Sequence, residues 1–153
     1  MMTVTLRSRS LGLSSAPKPP DPSSKEGVRL HAESDFYWHC KEILEYEDLH
    51  EPLHRPVCDF VNPYNWAPHE KVRVLIIPRR HLKTSIASIG LPSYLWLKNR
   101  DTRVLLGHGK RMTAVEYFQE LKHKLETNTV LPWIAPEVFF KDPQKQSKRW
   151  LQD

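Results

Sequence analysis

Between Ser34 and Leu125 the apolar positions change period several times, and each change marks an element. In SDFYWHCKEILEY, Phe36, Cys40, Ile43 and Leu44 fall on one helical face, with Ser34 as N-cap and Asp35 in the first turn. A second helix is predicted from Pro52 to Val61, with Leu53, Val57 and Phe60 inward. The turn-rich NPYNWAPHE, residues 62–70, separates it from Val72–Ile77, an apolar run broken only by Arg73 that reads as a buried strand. Ile86, Ile89, Leu95 and Leu97 then give a helix bent at Gly90 and Pro92. Val104–Leu106 reads as a second strand, and Ala114, Val115, Phe118, Leu121 and Leu125 as one face of an amphipathic helix.

The order helix, helix, strand, helix, strand, helix predicts an α/β fold, a parallel sheet flanked by helices. Two strands make that sheet incomplete. Beyond Asn128 the pattern weakens, and Pro132, Pro136 and Pro143 predict a loosely packed end. Before Val28 the chain is rich in Ser, Pro and basic residues with little to bury. Residues 1–27 are therefore expected as a disordered tail and 28–153 as a single folded domain.

Composition narrows the picture only slightly. A net charge of +5 permits contact with nucleotides or nucleic acid, but solvated surface charge explains it equally well. No apolar run approaches the roughly 18 residues of a membrane span, and no apolar segment of a secretory signal follows the start. The expectation is a cytoplasmic protein without membrane contact. Cys40 and Cys58 make no disulfide framework. His50, His54 and Cys58 recur at i, i+4, i+8, which raises a metal site. Zinc wants about four ligands, and Pro52 and Pro56 interrupt the phase, so structural residues are the plainer reading.

The segment richest in chemistry is VRVLIIPRRHLKTSIASIG, residues 72–90: strand, basic loop, Lys-Thr-Ser, apolar helix. A phosphate-binding loop has this layout, because backbone N–H groups at a helix N-terminus wrap an anion while a Lys reaches the phosphates and a hydroxyl holds magnesium. The two glycines of GxxxxGK[ST] would fall at Ile77 and Leu82, and neither is glycine. A left-handed Leu82 would cost about 1–2 kcal/mol. On spacing alone, an ordinary strand–loop–helix fits as well.

PRRHLKTSIAS resembles the degenerate P-loop of the large terminase subunit of tailed bacteriophages. The similarity extends over about residues 35–150, through DFYWHCKEILEYEDLHEPLHRPVCDFV before the loop and LWLKNRDTRVLLGHGKRMTAVEYFQELKHKLETN after it. The resemblance implies a partial P-loop NTPase of the ASCE type, the N-terminal ATPase part of a motor that packages double-stranded DNA into procapsids. It implies ATP and Mg2+ as ligands, held by Arg80, His81, Leu82, Lys83, Thr84 and Ser85. Lys83 would contact the β- and γ-phosphates and Thr84 would bind the metal. Arg79 would stabilise charge developing on the γ-phosphate, and His54 would lie toward the base. Arg80 stands where the family usually has glycine.

The implied partners are double-stranded DNA, the portal or procapsid and the small terminase subunit, in the host cytoplasm, with room for a homo-oligomer. Lys110 and Arg111, following the second strand, offer contacts to DNA, although a solvated loop is the plainer reading. The family's acidic strand end and nuclease domain have no counterpart: PEVFFKD, residues 136–142, ends in Lys-Asp. Weak ATP binding without efficient hydrolysis is thus expected of this chain alone. The alternative is a non-catalytic remnant or interaction module.

Overall fold

The computed structural model describes residues 21–139. Helix α1 spans Lys25–Ser34, and Ser24 caps it by accepting the Gly27 N–H. It takes in three residues assigned to the tail from sequence. Asp35, not Ser34, caps the next helix by accepting the Trp38 N–H. That helix, α2 (Phe36–Trp38), runs directly into a π-helical turn, His39–Ile43. Helix α3 is Glu51–Val61 and is followed by a 3-10 turn at Pro63–Asn65. A second π-helical stretch, Ser85–Gly90, continues as α4, Leu91–Lys98. Helices α5 (Arg111–Thr127) and α6 (Val130–Ile134) complete the described chain.

The parallel sheet expected from sequence does not form. Among the described residues there is no β-strand, and the molecule is helical. This overturns the assignment to a P-loop NTPase sheet of the ASCE type. The two runs read as strands do avoid helix, but neither meets a ladder partner. Val72, Val74 and Ile76 are 78%, 69% and 87% exposed, and Leu105 is 95% exposed. A strand's identity comes from cross-strand pairing, and here each run lies extended and single. Arg73, the polar interruption of the first run, anchors it instead to the preceding turn. Its guanidinium donates to the Phe60 carbonyl at 2.8 Å and to Glu70 at 2.6 Å, and stacks over the Phe60 and Trp66 rings.

Burial is left to the helices, in two clusters. Ala32, Ile43, Leu44, Leu97, Leu131, Ile134, Ala135 and Phe139 form one. The region after Asn128 is thus part of the core as far as Phe139, not a loose end. Pro143 and the end of PEVFFKD lie outside the described residues. The second cluster joins Phe36, Tyr37, Cys40, Leu49, Cys58, Val61, Ile86 and Tyr94. Helix α3 forms where the sequence predicted, but turned: His54, Cys58 and Val61 are buried, while Leu53 is 49% exposed. Helix α5 also forms, with Leu121 its buried residue and Phe118 58% exposed.

The π-helical stretches pack on one another at Gly90. A Cβ there would stand 2.7 Å from Cys40 Sγ and 3.2 Å from the Ser85 carbonyl oxygen, so only glycine permits this approach. No described helix is long and apolar enough to cross a membrane.

Candidate functional site

The loop from Pro78 to Leu82 links the extended run to the helix that begins at Lys83 and Thr84. Two non-glycine residues in it are left-handed: Arg80 at φ 67 and Leu82 at φ 50. Leu82 occupies one of the glycine positions of a phosphate-binding loop, and its strain has a visible counterweight. Its side chain packs against the second core cluster, and its carbonyl accepts the Ile86 N–H at 2.8 Å. Burying apolar surface at about 25 cal/mol per Å² can offset about 1–2 kcal/mol of backbone strain. Arg80 is exposed and packs into no cluster, so its strain has no such compensation. Ile77, at the other glycine position, has no left-handed backbone.

Alternating backbone handedness turns successive N–H groups toward one side, a geometry that suits anions. Arg79, Arg80 and Lys83 are exposed around it, while His81, Thr84 and Ser85 are partly covered. Lys83 Nζ reaches back 3.4 Å to the Ile77 carbonyl, a long contact that keeps the ammonium over the loop.

His54 arrives from α3. It is 4% exposed, and its Nδ1 accepts the His50 N–H at 2.9 Å, which puts the neutral ring's proton on Nε2. Burial pushes its pKa down. The charges of His50 and His81 push the same way, against the contact with the His50 backbone. Among the described residues the side-chain hydrogen bonds and ring contact of His54 are all with His50, and none joins it to the loop.

The residues present fit a phosphate group: flexible cations, left-handed backbone and a helix start converge. They fit magnesium poorly. Thr84 offers one neutral oxygen, and no group of three His, Cys, Asp or Glu that could hold a metal exists among the described residues. Magnesium usually arrives on its phosphates, so any such ion would depend on the nucleotide. His50, His54 and Cys58, raised from their spacing, form no such metal-holding group either. Cys58 instead lies wholly buried in the same apolar cluster as Cys40. Burial, and then the neighbouring Cys58 thiol, push the Cys40 thiol well up, which makes it inert.

Sequence reasoning missed a buried polar chain beneath the loop's helix. Ser93 Oγ donates to the Gly90 carbonyl at 2.8 Å and lies 2.8 Å from His39 Nε2. Its one proton is committed, so His39 must donate from Nε2, leaving Nδ1 buried without a partner among the described residues. Burial drives the His39 pKa down to about 3. The sequence signal was a histidine next to Cys40, three residues after Phe36 and four before Ile43, and so on the predicted apolar face itself. No family model, curated protein or solved structure matches this chain.

Proposed function

We propose that residues 78–84 form a phosphate-binding loop, and that the chain is the N-terminal nucleotide-binding part of a tailed-bacteriophage terminase large subunit with ATP as its ligand. The observation that carries this reading is the pair of left-handed residues, Arg80 and Leu82, immediately before Lys83 and Thr84 at a helix start. A non-glycine left-handed residue costs energy, and Arg80 has no packing that repays it. A function for the loop would explain why it persists.

In this reading Lys83 meets the terminal phosphates and Thr84 a phosphate-borne magnesium ion. Arg79 faces the γ-phosphate, and His54 sits toward the base. Arg80, His81, Leu82 and Ser85 shape the cradle with their backbone. The reading concerns the loop and includes no sheet. Double-stranded DNA, the portal or procapsid and the small terminase subunit would be partners of the complete motor.

The second reading, a non-catalytic interaction module, is favoured by the apolar side chains that Val72, Val74, Ile76 and Leu105 leave open to solvent. Calorimetry with magnesium-ATP on the full chain, beside Lys83→Ala, separates the two. The nucleotide reading expects binding that weakens at least roughly tenfold in the variant, a loss of about 1.4 kcal/mol. Binding that is absent, or equal in both proteins, leaves the module.

A further inference from the structure

A second site stands apart from the loop. Residues 103–107 run extended beside α5, and between them lies a groove of about 380 Å³. Trp96, Val104, Leu106, Val115, Phe118 and Leu121 supply apolar walls, Leu105 borders it, and among the described residues Arg111 is the one charged residue in its lining. Glu116 and Glu120, on the same helix, are exposed but do not line it. The backbone N–H and C=O groups of residues 103–107 make no hydrogen bond among the described residues. Val104 and Leu106 are half-buried while Leu105 between them is 95% exposed, so burial already alternates as in a strand. An apolar floor, an unpaired backbone edge and a single cation at the end of the groove are the ingredients of strand addition.

Charge decides what can occupy it. The chain's other extended run, residues 71–77, carries Lys71 and Arg73 and no acid. Residues 1–20 carry Arg7, Arg9 and Lys18 with no acid, and residues 140–153 hold four cations against two acids. Each of these, in this chain or a second copy, would bring a net positive charge to Arg103, Lys110 and Arg111. We propose that the groove between residues 103–107 and α5 binds an extended segment of a different protein. That segment is apolar at alternate positions and carries a carboxylate that meets Arg111. It pairs its backbone with residues 103–107, sets its apolar side chains against Phe118 and Val115, and leaves its acid at the Arg111 end. This does not depend on the loop binding phosphate.

The test is to pan the purified full chain against a randomised library of extended peptides of about seven residues, enough to overrun residues 103–107 at both ends. The expected winners alternate apolar residues and end in Asp or Glu. Binding should fall at least roughly tenfold in Phe118→Asp. Arg111→Glu should switch the preference from acidic to basic ends. Both residues are exposed, so both variants should fold, checked by circular dichroism. Amide exchange at residues 103–107 should slow when a winning peptide is bound. Three results would each overturn the proposal: no enrichment over Phe118→Asp, winners indifferent to the charge at position 111, or unchanged exchange at residues 103–107. So would a dimer in sedimentation that Phe118→Asp dissolves, since a second copy would then be the occupant.

Discussion

At Arg80 and Leu82 the same backbone conformation has opposite energetic settings. Leu82 is left-handed with its side chain in the core, whereas Arg80 is left-handed with its side chain in water. Glycine at position 80 should relieve about 1–2 kcal/mol of strain, less about 0.4–1 kcal/mol for the freer unfolded chain. Arg80→Gly is thus expected to raise the urea midpoint slightly. Leu82→Gly should lower it, because the lost packing outweighs the relief. If both variants gain, packing does not hold Leu82 where it is. His39 sets a pH limit on the fold. Its pKa is about 3 when folded and near 6.5 when unfolded, so above pH 6.5 neither state carries the charge. As pH falls from 6.5 toward 3 the unfolded chain takes up a proton that the folded chain refuses, and stability drops by on the order of a few kcal/mol. Denaturant melts between pH 7 and 4.5 should show this slope, and His39→Gln should flatten it.

For the elements, helices α3 and α5 were legible and their faces only in part. The apolar period of residues 52–61 predicted α3, and Val57 and Phe60 do pack against the core, but the fully buried residues are His54, Cys58 and Val61, and Leu53 faces water. Periodicity gives the stripe's width. Contacts with other elements choose its direction, here Cys58 packed in one cluster with Phe36, Cys40 and Tyr94. Gly90 and Pro92 correctly marked an irregularity, but its form, a π-helical stretch giving way to α4, depends on the approach of Cys40. Gly90→Ala should cost about 1–3 kcal/mol by overpacking that contact. Cys40→Ala removes the nearer obstacle, so the double variant should recover part of the loss, measured as a coupling energy in a double-mutant cycle. Strictly additive losses would place the strain at the Ser85 carbonyl instead.

For the whole molecule, the error was to infer a sheet from two extended apolar runs. Ile76 is 87% exposed, so Ile76→Thr should change stability by no more than about 0.5 kcal/mol. In the interior of a sheet the same change would cost about 1–3 kcal/mol, and thermal melts distinguish the two. The sequence by itself determined that helices lie at residues 51–61 and 111–127, that residues 72–77 and 104–106 stay out of helix, and that cations gather at residues 79–83, because these follow from local spacing and side-chain type; α1 and α6 were not legible in it. Only the tertiary structure decided that the extended runs remain single, that the end up to Phe139 belongs to the core, and that Ser93 meets His39 in the interior. Those outcomes turn on which distant surfaces meet. The burial that rewards such a meeting is not written in any one segment.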